Sequence, residues 1–201
     1  MTCHERRYGI YRKQFTPPFT LSINIHGDTR RRKSKSMAIE GVSNLLELFK
    51  GIHWKWTKEK WDKIASTSNL QRIDDSSRTY YRYDGFELYA LISDNNKLLS
   101  VTVNIEMYYE GFEDNYGDEY DAKAEEFKQK YNETLVLAIQ TIGRPDFEGN
   151  CNDVGFPHYE TSNRVALWNV HSGRLMVQYN HEYEFVPFRI TVRVIPPENL
   201  E

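Results

Sequence analysis

Cysteine is nearly missing from this 201-residue chain: only Cys3 and Cys151 occur. Two cysteines are too few for a disulfide scaffold or a cysteine-built zinc site. Their scarcity suits a reducing compartment, so a cytoplasmic location is expected. Long apolar runs are also missing. No window approaches the 18 consecutive apolar residues of a spanning helix. The first residues lack the apolar stretch of a secretory signal, and no membrane association is expected. Hydrophobic residues make up only 39% of the chain, but aromatics reach 14%. Rings supply large buried areas per residue, so the composition is that of a folded chain rather than a disordered one.

The common chemical signatures are absent too. No GxGxxG or GxxxxGK[ST] is present to cradle a phosphate, and no HExxH to hold zinc. The six histidines are scattered at positions 4, 26, 53, 158, 171 and 181. His171 sits in an expected turn and His181 past the far end of the next strand, so the hairpin holds them apart. The stretch Glu113–Glu119 invites comparison with a calcium loop, which needs oxygen ligands at positions 1, 3 and 5 with Gly at 6. Counted from Glu113, Gly117 falls at position 5; counted from Asp114, Tyr116 falls at position 3. The register fails. Glu126-Phe127-Lys128 matches a nuclease fragment, but it lies within a helix and lacks the preceding strand aspartate. No catalytic residue, cofactor site or metal site is expected.

Charge divides the chain. Residues 1–36 hold nine Lys/Arg, including Arg30-Arg31-Arg32-Lys33 and Lys35, against Glu5 and Asp28. The net charge of the whole chain is −3, so residues 37–201 carry −10 against +7 for the leader. The leader includes Pro17-Pro18 and one alternating stretch, Phe19–Ile25, and is expected to be flexible. Met37 could be the natural start, with the leader upstream of it. A basic arm that touches nucleic acid or anionic lipid is the functional alternative.

From Met37 on, the pattern is that of one α+β domain. Ile39, Val42, Leu45, Leu46 and Phe49 mark one face of a helix, with Gly51 as its stop. Thr57 is the expected N-cap of a second short helix carrying Trp61, Ile64 and Ala65. Trp54, Trp56 and Trp61 read as core of this helix pair. Arg78–Tyr83, Asp84-Gly85 and Phe86–Ile92 make a hairpin, because Asp-Gly suits a type I′ turn. Leu98–Tyr109 alternates as a strand with one buried and one wet face. The longest helix is expected over Asp118–Ile142, with Phe127, Tyr131, Leu135 and Ala138 in its stripe and Gly143 and Pro145 as its stop. Arg164–Pro196 carries the strongest hairpin pattern. The expected architecture is an antiparallel sheet of two strand meanders, three strands in each, with the long helix across one face and a short N-terminal helix pair.

What remains is the segment Glu106–Glu126, with nine carboxylates against Lys123 and with Tyr108, Tyr109, Phe112, Tyr116 and Tyr120 interleaved. One reading is a solvated loop that caps a helix. The other is a docking face for a basic protein, since opposed charge speeds encounter and tyrosines anchor at small ordering cost.

In its helical start after Met37, its acid-rich loop, the helix ending Ile142-Gly143-Arg144-Pro145, and the Val165–Trp168, Arg174–Val177 and Phe188–Val192 strands, the chain resembles bacterial immunity proteins of polymorphic toxin systems. The basic leader departs from that pattern. The resemblance implies a cytoplasmic protein that blocks a cognate toxin without chemistry of its own. Its docking face would be Glu110, Glu113, Asp114, Tyr116, Asp118, Glu119 and Tyr120. Two rival readings are an enzyme using Cys151, Asp153 and His158 in the 149–160 loop, and a nucleic-acid-binding module using the leader.

Overall fold

Asp84 and Gly85 both have positive φ, 49° and 85°, as a type I′ hairpin turn requires. They fold β2 (Thr79–Tyr83) back onto β3 (Phe86–Ile92). The computed structural model describes residues 41–51, 55–68, 70–73, 79–108, 118–157, 160–171, 173–181 and 188–197. On one side β3 pairs with β4 (Leu98–Met107), and on the other β2 pairs with the two-residue β1 (Gln71–Arg72). A second meander runs through β5 (Phe147–Asn150), β6 (Arg164–Val170), β7 (Gly173–Asn180) and β8 (Arg189–Ile195). Strands β4 and β8 pair antiparallel and fuse the halves into one eight-stranded sheet of order β1-β2-β3-β4-β8-β7-β6-β5. Each meander thus has four strands where the pattern predicts three. The additions, β1 and β5, are too short to show alternation and exist through pairing with a neighbour.

Helix α1 (residues 41–51) buries Val42, Leu45, Leu46 and Phe49, its expected stripe; Ile39 lies outside the described residues. Gly51 is the last described residue of this helix. Thr57 caps α2 (Lys58–Thr67) by accepting the Lys60 N–H at 3.3 Å. Trp56 and Trp61 are buried, as core residues should be. Helix α3 spans Asp118–Ile142. Gly143, at φ 106°, returns its N–H to the Ile139 carbonyl and accepts the Trp168 indole N–H at 2.8 Å. No basic residue lies in the last turn of α3. Lys50 of α1 supplies that charge by donating to the Thr141 carbonyl at 2.8 Å, where the helix dipole favours a cation.

Side chains of all three helices pack with Leu88, Ala90, Val101, Val103, Leu175, Val177, Ile190, Val192 and Val194, which share one sheet face. The molecule is an α+β fold with the long helix across that face. The opposite face carries no helix among the described residues. Over its β5–β7 half, Phe147, Phe156 and Ile195 pack against Val165, Leu167 and Met176. Its centre is drier than alternation predicts: Ser100, Thr102, Gln178 and Thr191 are all buried. The wet face expected for β4 is therefore wet only in part.

Gly173 marks the tightest approach in this arrangement. A Cβ there would run into the Ile195 carbonyl and the Trp56 ring, so the β6–β7 turn sits directly against the segment between α1 and α2.

Candidate functional site

The carboxylates expected to dock a partner lie at the entry to α3. Glu110, Glu113, Asp114 and Tyr116 fall outside the described residues. Asp118 opens α3 and Glu119 is exposed in its first turn. Asp121 and Glu125, one and two turns into the helix, are exposed as well. Acidic side chains belong at this end, where unpaired backbone N–H groups leave a partial positive charge.

Tyr120 does not share that exposure. It is buried, with its hydroxyl 3.0 Å from His181 Nδ1 and its ring 5.0 Å from that of Phe188. The His181 ring stacks in turn on Phe188 and lies 5.3 Å from Tyr179. Tyr120 thus joins α3 to the end of β7, and as an anchor for a partner it is withdrawn from the surface. The physical reason is its place in the helix: seven residues before Phe127, two turns earlier, it falls on the same inward stripe.

Farther along α3 the acidic character fades because lysines answer it. Lys130 Nζ contacts Glu106 at 2.6 Å and Glu126 at 3.0 Å, and Lys123 contacts Glu126 at 2.6 Å. Lys128 contacts Glu125 at 2.9 Å. Hydrogen bonds from Lys123 and Lys130 hold the Glu126 carboxyl below its usual range. Burial pulls Lys130 down, but the bonds it donates to Glu106 and Glu126 outweigh it and leave its ammonium above the usual value. Glu106, Glu125 and Glu126 therefore serve the helix surface, and the net negative end is its first turn.

Of the residues of the rival enzyme reading, Cys151 and Asp153 are described. Cys151 is not a free cysteine, whereas a Cys–His pair needs a free thiol. Asp153 accepts the Asn150 N–H at 2.7 Å and shapes the turn after β5; His158 lies outside the described residues. His171 and His181 stand at opposite ends of β7, as their spacing predicts. No group of three or more His, Cys, Asp or Glu capable of holding a metal exists among the described residues. No helix there is long and apolar enough to cross a membrane.

One cluster escaped the sequence pattern. The Glu160 side chain is only 2% exposed and pairs with Arg193 Nη1 at 3.3 Å. It also accepts a hydrogen bond from Gln178 Nε2, whose amide oxygen accepts the Thr191 hydroxyl at 3.0 Å. Burial pushes the Glu160 carboxyl above its usual value, and Arg193 and Gln178 offset this only in part. The network spans the loop after β5, β7 and β8. Its one legible trace is the polar row Gln178, Thr191 and Arg193 on strands of apolar alternation, which by itself signals a wet face.

Comparison with protein-family models, with curated proteins and with solved structures finds no match for this chain.

Proposed function

We propose that the chain is a non-enzymatic binding protein of the immunity type, which neutralises a basic cognate toxin by docking it on the acidic segment that leads into α3. The observation behind this reading is the first turn of α3. Glu119 and Asp121 face solvent there, and they continue in sequence from Glu110, Glu113, Asp114 and Asp118. The acids farther along the helix are matched by lysines instead. A concentrated negative end beside a neutralised shaft suits a basic surface approaching the helix tip, where opposed charge raises the association rate. A basic nucleic-acid-cleaving enzyme would find on it the charge of its own substrate, and covering the active surface suffices to block it. Tyr116 remains the aromatic anchor of this reading and Tyr120 becomes its internal support.

The test is co-expression with a basic toxin, first of all any that a neighbouring gene is found to encode. Glu113→Lys, Asp114→Lys and Glu119→Lys together should abolish protection of the host cell and weaken the purified complex about 100-fold. Full protection by that variant would show the docking assignment to be wrong.

A further inference from the structure

Strands β2, β4, β5 and β7 end, and β3, β6 and β8 begin, at one and the same end of the sheet. Gly41, the first described residue of α1, abuts the β2–β3 turn there. A Cβ on it would meet Phe86 and Asp84, and Asn44 Nδ2 donates to the Asp84 carboxylate at 3.2 Å. On the far side of the same end, Cys151 follows β5 and donates its N–H to the Asn163 carbonyl at 3.0 Å. The Asn163 side chain accepts the His181 N–H at 2.8 Å, and His181 meets the Tyr120 hydroxyl. A short chain of hydrogen bonds thus joins Cys151 to the first turn of α3, where Glu119 and Asp121 face solvent. Cys151 is half-buried and is not a free cysteine. The chain has one other cysteine, Cys3, which lies outside the described residues.

We propose that a Cys3–Cys151 disulfide fastens the basic leader across this end of the sheet and makes it a redox-controlled cover for the start of α3. The reach suffices. Strand order puts β3 five spacings of about 4.8 Å, about 24 Å in all, from β5. The residues between Cys3 and Gly41 extend to roughly 120 Å at about 3.3 Å each. Charge gives the cover its seat: Arg6, Arg7, Arg12 and Lys13 are the cations nearest Cys3 in sequence. Bonding Cys3 to Cys151 holds them beside Glu119 and Asp121 at an effective concentration on the order of millimolar. Without the bond, the leader is tied to the domain only through α1. Closure takes two protons and two electrons from the two thiols, and a small-molecule disulfide accepts them and leaves as two thiols. A dithiol reductant opens the bond by exchange, its own two sulfurs joining as the cysteines recover their protons. Reducing conditions therefore expose the acidic turn and oxidation covers it. The consequence for toxin docking rests on the function proposed above, whereas the disulfide and the cover stand apart from it.

Mass spectrometry of the full chain, oxidised with a small-molecule disulfide and alkylated with iodoacetamide before or after dithiothreitol, reads the bond. The oxidised monomer should take up no label until it is reduced, and its digest should hold the Cys3 and Cys151 peptides linked. Binding of a fluorescent octalysine peptide reads the cover. Oxidised protein should bind it about fivefold more weakly than reduced protein. Cys3→Ser should bind it at the reduced level under both conditions, and Cys151→Ser gives a second reading of the same kind. Arg6→Glu, Arg7→Glu and Arg12→Glu together should keep the disulfide and remove the redox difference. Free thiols after oxidation, or a disulfide between two chains, overturn the proposal, as does octalysine binding indifferent to the bond. Redox-dependent octalysine binding by a chain that protects against no toxin supports the cover and counts only against the docking function.

Discussion

The Tyr120 hydroxyl lies 3.0 Å from His181 Nδ1, although 61 residues separate the two in sequence. This contact ties the first turn of α3 to the end of β7. It also separates two roles inside one acidic segment: the carboxylates around Tyr120 face solvent and the ring among them is structural. Tyr120→Phe keeps the ring contacts with Phe188 and removes one hydrogen bond, so it should cost about 1 kcal/mol in urea unfolding. Tyr120→Ala should cost about 3 kcal/mol or more because the ring is buried. Equal and negligible effects from both would contradict the internal role.

The Glu160 carboxyl gives a pH signature of definite sign. Its folded-state pKa is raised by burial, so the folded protein holds the proton more tightly than the unfolded chain does. The resulting penalty is fully present above the folded pKa and fades as pH falls through it toward 4.5, the ordinary value. Glu160→Gln cannot titrate. Stability of the native protein should therefore rise relative to Glu160→Gln on mild acidification within that window. A difference that is flat with pH, or that runs the other way, would refute the burial argument.

Arg193 carries the compensating charge for Glu160. Arg193→Met should cost about 3 kcal/mol at neutral pH, because it leaves a buried carboxylate without its cation. Adding Glu160→Gln to that variant should recover most of the loss. A simple sum of the two single effects in denaturant titrations would mean the pair is not coupled.

Gly173 is a packing requirement rather than a turn preference. Gly173→Ala should destabilise by about 2 kcal/mol or more, since its methyl group would meet the Ile195 carbonyl and the Trp56 ring. A native melting temperature for this variant would mean that the β6–β7 turn moves away from the helix pair at little cost.

Charge reversal at the start of α3 separates stability from docking. Glu119→Lys and Asp121→Lys oppose the helix dipole and should cost about 0.5 kcal/mol each. That small loss, read by thermal melting, leaves the fold in place while partner binding falls. A cooperative loss of structure would instead make these carboxylates part of the scaffold.

The sequence by itself determined the local structure. Asp84-Gly85 specifies its turn, Thr57 its cap, and the Phe127, Tyr131, Leu135 and Ala138 stripe the long helix; each signal is written within a few neighbouring residues, where sterics and hydrogen bonding act. Alternation likewise settled which sides of β4 and β8 enter the helix-covered core. Tertiary structure alone decided the rest. Strands β1 and β5 exist because β2 and β6 offer free backbone groups to pair with, a property of the partner strand. Gln178 and Thr191 are dry because chain from elsewhere lies over them, and period-two patterning records sidedness rather than what covers a side. Glu160 meets Arg193 only once β8 has paired with β7, and Tyr120 meets His181 only once α3 has packed on the sheet. The order of strands across the sheet depends on pairings distant in sequence, whose free energy no single segment carries.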